Sequence, residues 1–148
     1  MKKTLFIIIA MCALLLNACG LVELETSDNG KLDGNWHLVY IDSLNNHQHA
    51  DYSNKQVFWQ IQGKLLQVTN AEDNGLMYIF RFEHSDNHLI LSDARRSNRE
   101  TGDPIVEDAT MLAPYGVNAF NEDFFVEKIS GKRMTLRSNT LRLYFRKM

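Results

Sequence analysis

From residue 35 onward, apolar and polar positions alternate with a period of two, and the apolar ones are mostly β-branched or aromatic. Successive side chains on a strand point to opposite faces, so this pattern predicts half-buried antiparallel strands. Eight are expected, near residues 35–42, 56–62, 64–70, 76–84, 88–93, 124–129, 133–138 and 141–147. Trp36, Leu38 and Tyr40 should share one face of the first, Val57, Trp59 and Ile61 one face of the second, and Tyr78, Phe80 and Phe82 one face of the fourth. Leu141, Leu143 and Phe145 line up in the last strand, opposite Arg142, Tyr144 and Arg146. Phe124, Phe125, Val126 and Ile129 do not keep one parity, which predicts a bulge in the sixth strand.

The connections then choose an architecture. Gln62-Gly63, Ser85-Asp86-Asn87, Gly131-Lys132 and Ser138-Asn139-Thr140 are hairpin links, and Asn74-Gly75 closes a slightly longer one. Strands adjacent in sequence are therefore adjacent in space. The expected fold is all-β, an eight-stranded up-and-down antiparallel barrel, whose closure would also remove exposed sheet edges in a chain with only two prolines to blunt them. Two connections are long, residues 43–55 and residues 94–123, the second an excursion between the fifth and sixth strands. Val106 to Leu112 is expected to hold a short strand or helical turn, and Val117 to Glu122 another helical turn.

The N-terminal segment breaks the alternation. Lys2 and Lys3 precede an apolar run from Leu5 to Leu16, and Leu16-Asn17-Ala18-Cys19 follows it. The run is too short for a bilayer core, which needs roughly 20 residues, and its order is that of a secretory signal closed by a modifiable cysteine. Residues 1–18 are therefore expected to be a lipoprotein signal peptide. Cys19 would carry the lipid, residues 19–33 would form a polar tether, and residues 34–148 would be one domain of about 115 residues. Multiple acyl chains at Cys19 would anchor firmly, since each buried CH₂ contributes about 0.8 kcal/mol. The expected location is the outer membrane, lipid-anchored, on the periplasmic face or the cell surface.

Losing Lys2 and Lys3 with the signal would take the formal net charge from −2 to −4, which argues against a nucleic-acid partner. Cys12 would leave with the signal and Cys19 would be acylated, so no disulfide is expected in the mature chain. Stability must come from the core.

Gly34-Asn35-Trp36 at the head of the first strand resembles the Gly-x-Trp of lipocalins, and the mature chain resembles the small lipocalin-like lipoproteins of Bacteroides-type bacteria. The resemblance extends through Leu112-Ala-Pro-Tyr-Gly-Val117, Phe125-Val-Glu-Lys-Ile-Ser130, Lys132-Arg-Met-Thr-Leu136 and Leu141-Arg-Leu-Tyr-Phe-Arg-Lys147. It implies a barrel and no particular reaction. It also implies that Gly34 and Trp36 close one end, with a basic residue of the last strand, Arg142 or Arg146, stacked across the indole.

A small barrel is either filled by its side chains or holds one small molecule. Tyr40, Trp59, Tyr78, Tyr115 and Phe120 are the candidate wall of a pocket at the end carrying the long loops. Arg95, Arg96 and Arg99 are candidates for an anion-attracting mouth, and Glu100, Asp103, Glu107 and Asp108 could instead neutralise them. His47, His49 and Asp51 are the nearest approach to a metal constellation, but they lie in a segment that reads as loop and lack a fourth ligand at suitable spacing, so no metal is expected. His84 and His88 flank a hairpin turn and should face water. No nucleophile elbow, zinc-protease motif, phosphate loop or free mature thiol is present, and no catalytic residue or cofactor is expected. Two functions remain. The first is a non-enzymatic binding lipoprotein holding a small apolar or amphipathic ligand at the open barrel end. The second is a protein-interaction module, an envelope accessory subunit or an inhibitor, acting through its long loops with a filled barrel behind them.

Overall fold

In the computed structural model, which describes residues 27–148, eight antiparallel strands follow one another around a closed barrel and a short ninth strand flanks it. The signal, Cys19 and the first part of the tether lie outside the described residues. The strands are β1 (Gly34–Ser43), β2 (His49–Asp51), β3 (Val57–Gln62), β4 (Leu65–Asn70), β5 (Met77–Ser85), β6 (His88–Arg96), β7 (Glu122–Ile129), β8 (Arg133–Arg137) and β9 (Leu141–Lys147). Each pairs with the next, except that β3 returns to β1, and β9 closes the ring on β1 from Trp36↔Lys147 to Ser43↔Leu141. Eight strands make the barrel and β2 is an addition. It pairs with the upper half of β1, opposite Tyr40 to Asp42, where β3 has already ended. The segment expected to be wholly loop thus contains a short strand, too brief for its polar sequence to announce.

The lumen is apolar throughout. Trp36, Leu38, Trp59, Leu66, Val68, Phe80, Leu89, Leu91, Phe124, Leu136 and Leu143 are completely buried, and they come from every long strand in turn. Burying side chains of this size contributes roughly 2 to 3 kcal/mol each, so the two-residue pattern is itself the driving force for closure. The predicted bulge in the 124–129 strand lies between Val126 and Lys128 of β7. A second bulge, between Leu38 and Tyr40 of β1, corrects an expectation. Val39 is the extra residue there, so Ile41 turns into the core and Tyr40 turns out, instead of joining Trp36 and Leu38.

Register separates the two ends. At one end lie the Gln62–Leu65, Ser85–His88 and Ile129–Arg133 links and the entry of the N-terminal segment. The other end carries both long connections. At the first end the 3-10 turn Gly30–Leu32 places a fully buried Leu32 beneath the barrel, and the Trp36 indole donates from Nε1 to the Leu32 carbonyl at 2.8 Å. Leu32, in the segment expected to be tether, is thus part of the packed core.

Candidate functional site

The end expected to be open is filled by the chain's own excursion. β6 runs three residues further than expected, to Arg96, and Arg95 bridges back to Ile105. The excursion then forms the 3-10 segment Ala109–Tyr115, capped at its start by the Asp108 carboxylate accepting from the Thr110 backbone N–H. The expected turn near Val106 to Leu112 thus exists a few residues later. Residues 117–122, where another helical turn was expected, have none.

Gly116 ends the segment at φ +82°, in the left-handed region, and a Cβ there would lie 2.8 Å from a Leu143 methyl. Only glycine meets both demands, and it lets the chain drop against β9. Leu112, Tyr115 and Val117 are consequently buried in the mouth. The Tyr115 carbonyl accepts from Trp59 Nε1 at 2.9 Å, and the Tyr115 ring meets the edge of Tyr78 with centroids 5.4 Å apart. Trp59 also packs against Phe145 and Phe124 at 5.0 and 5.6 Å, so the plug is keyed into the centre of the aromatic core. Glu122 fixes the far side of the excursion, where its Oε2 accepts from the backbone N–H groups of Asn118 and Ala119 at 2.7 and 2.8 Å.

Electrostatics follow this enclosure. Burial pushes the Tyr115 phenol up to about 12, and its Oη has no hydrogen-bond partner among the described residues. Burial also raises the Tyr78 phenol.

The candidate pocket residues therefore separate. Trp59, Tyr78 and Tyr115 do meet at one end of the lumen, where Tyr115 contacts both of the others and all three are buried. Tyr40 and Phe120 are exposed, Tyr40 on the outer wall and Phe120 on the excursion. The three candidate arginines are placed differently. Arg95 donates from Nε to Asp93 at 3.0 Å and from Nη1 to the Asp103 carbonyl at 3.2 Å, while Arg96 and Arg99 are exposed.

At the opposite end, the cation over Trp36 is Lys147, with Nζ 4.8 Å from the ring centroid, rather than Arg142 or Arg146. The reason is register, because Trp36 pairs directly with Lys147 on β9. Gly34 gives this lysine its path, since a Cβ on it would fall 2.5 Å from Lys147 Cε. Arg142 instead makes a two-pronged pair with Glu127 at 2.8 and 2.9 Å, and Arg146 is exposed. His49 bonds Asp42 at 2.6 Å, His88 bonds Asp123 at 2.8 Å, and His47 and His84 are exposed. Among the described residues no three His, Cys, Asp or Glu side chains gather as a metal site would require.

Among the described residues, concavities lie against the outer wall in at least three places. One of about 800 Å³ is lined by Asn35, Gln60, Gln67 and Ile79. Another of about 480 Å³ lies across β1, β9, β8 and the end of β7. The third, about 250 Å³, sits beside His88 and Asp123. Sequence reasoning looked for a site inside the barrel and missed the plug. The return of apolar residues after the polar stretch 95–104, Leu112 and Val117 among them, was the available signal.

A closed eight-stranded up-and-down barrel with a tryptophan at its base and almost no helix defines a protein of the lipocalin-like class. The chain belongs to the family of lipocalin-like domains, whose profile matches residues 13–148. Two solved structures are similar in fold. A lipocalin-like protein from Bacteroides uniformis ATCC 8492 has 17% identity and a TM-score of 0.61, with 80% of this chain and 100% of that chain covered. An uncharacterized protein from Bacteroides eggerthii DSM 20697 has 17% identity and a TM-score of 0.56, covering 78% and 98%. No curated protein matches the chain in sequence.

Proposed function

We propose that this protein is a lipid-anchored, non-enzymatic component of the bacterial outer membrane that recognises a partner protein through the long connections at its plugged end. The barrel is then a solid scaffold. The observation that carries the reading is the occupied mouth, where Tyr115 and Leu112 fill the place a small apolar ligand would take. The same excursion exposes Ile105, Met111 and Phe120. Apolar side chains held out on an ordered loop are suited to an interface.

Anchoring at Cys19 is supported by Lys2, Lys3 and the apolar run that leads to it. The absence of catalysis is supported by the family, whose members are generally binding proteins. Native mass spectrometry of the protein taken from its own cell envelope tests the proposal. A stoichiometric protein partner, lost when Ile105, Met111 and Phe120 are all replaced by Ser, is the expected result. A bound apolar molecule whose removal shifts Trp59 fluorescence would overturn it in favour of a lumenal ligand.

A further inference from the structure

The outer wall carries a second surface, built by two of the three register shifts in the barrel. On β1 the bulge at Val39 turns Tyr40 outward, and on β7 the irregularity between Val126 and Lys128 brings Lys128 opposite Thr135. The result is a continuous outward row, Lys128, Thr135, Tyr144 and Tyr40, running across four strands. The next row toward the N-terminal end sets Arg133 beside Arg146. These six side chains line the groove of about 480 Å³.

Charge distinguishes these rows from their neighbour. One step toward the plugged end, Arg137 and Arg142 both pair with Glu127, so that part of the wall is compensated. Lys128, Arg133 and Arg146 are exposed, and none is in an ion pair among the described residues. Asp42, which reaches Tyr144 in this groove, is already taken, since its two oxygens accept from His49 and the Tyr144 hydroxyl at 2.6 and 2.9 Å. That bond also fixes the Tyr144 ring, while Tyr40 lies edge-on to it at 6.5 Å and against His49 at 5.0 Å. The groove is thus three uncompensated cations leading to two positioned phenol rings.

We infer that this groove binds the phosphate headgroup of an anionic lipid, with the arginines and Lys128 on the phosphate and the tyrosines against the glycerol and the first acyl carbons. Guanidinium forks suit phosphate oxygens, and tyrosine suits the boundary between headgroup and hydrocarbon. Position selects a lipid over a soluble phosphate ester. Arg133 and Arg146 lie at the end where Lys147 Nζ donates to the Lys31 carbonyl, the side from which the chain leads back to Cys19. The choice of a lipid rests on the anchoring at Cys19 proposed above, and the inference is independent of the partner protein.

The full chain in neutral detergent is titrated with dihexanoyl phosphatidylglycerol, and amide shifts at Tyr40, Thr135 and Arg146 are followed. Saturable binding that weakens with salt is expected. Arg133→Gln with Arg146→Gln should weaken it at least tenfold, and Lys128→Gln alone severalfold should the double variant not fold. Arg81→Gln with Arg96→Gln, on another part of the wall, should leave it unchanged. Equal binding of dihexanoyl phosphatidylcholine would overturn the role of charge, equal binding of glycerol 1-phosphate would reduce the groove to a phosphate site, and no binding would overturn the site.

Discussion

The indole N–H of Trp59, in the middle of β3, donates to the carbonyl of Tyr115 at 2.9 Å across 56 residues of sequence. A single hydrogen bond in the centre of the aromatic core thereby ties the excursion to the wall it plugs. Trp59→Phe would leave that buried carbonyl without its partner and open a small void. The expected loss is about 2 to 4 kcal/mol in chemical denaturation, together with faster proteolysis within residues 97–120. Equal stability and equal cleavage would show that the plug is held by something else.

Gly116→Ala should be costly for two separable reasons. The residue sits at φ +82°, and the added methyl would meet Leu143 at 2.8 Å. Strain and overpacking together should lower stability by about 2 to 4 kcal/mol. Leu143→Ala in the same chain should relieve only the steric part, so a double-mutant cycle checks the assignment.

Alkaline pH should destabilise the protein through Tyr115. Its phenol is pushed up to about 12 in the folded chain by burial, whereas the unfolded chain ionises near the ordinary value of about 10. The neutral phenol's contribution is complete below about pH 10 and is lost as pH rises toward 12, because the unfolded state sheds its proton first. Tyr115→Phe should flatten that alkaline limb. It should also raise stability at neutral pH by about 1 kcal/mol, since it removes a buried hydroxyl that has no partner. Denaturation midpoints measured from pH 7 to 11 would show both effects, and an unchanged slope would contradict them.

At the base, Lys147→Met should lower stability by about 0.5 to 2 kcal/mol through loss of the cation over Trp36. Arg146→Met, which removes an exposed cation, should change it by less than about 0.5 kcal/mol. Thermal unfolding of the pair discriminates the two assignments, and the reverse order would restore the arginine expected from the family resemblance.

Much of the barrel was legible because one rule governs it. Residues such as Trp59, Phe80, Leu89 and Phe145 lie on the inward side of a two-residue repeat, and the hairpin turns leave no alternative neighbour. The errors fell where the repeat is broken by one residue. The bulge at Val39 reverses Tyr40, and the sequence Leu38-Val39-Tyr40-Ile41 is apolar on both parities, so nothing in it marks the slip. Lys147 displaced Arg146 for a related reason, since pairing register depends on where the strands meet and not on their composition. The plug was hidden differently. Its fold is decided by tertiary fit, by Gly116 against Leu143 and Tyr115 against Trp59, and a 3-10 segment has too little periodicity to show in sequence.

Hydrogen exchange at the Trp59 indole Nε1–H tests the filled barrel most directly, because that proton reports whether the plug ever leaves the mouth. The predicted result is exchange as slow as the backbone amides of Leu66 and Leu89, limited by global unfolding. Exchange orders of magnitude faster than those amides, with the strands still protected, would mean that the mouth opens in the native state and the lumen is accessible after all.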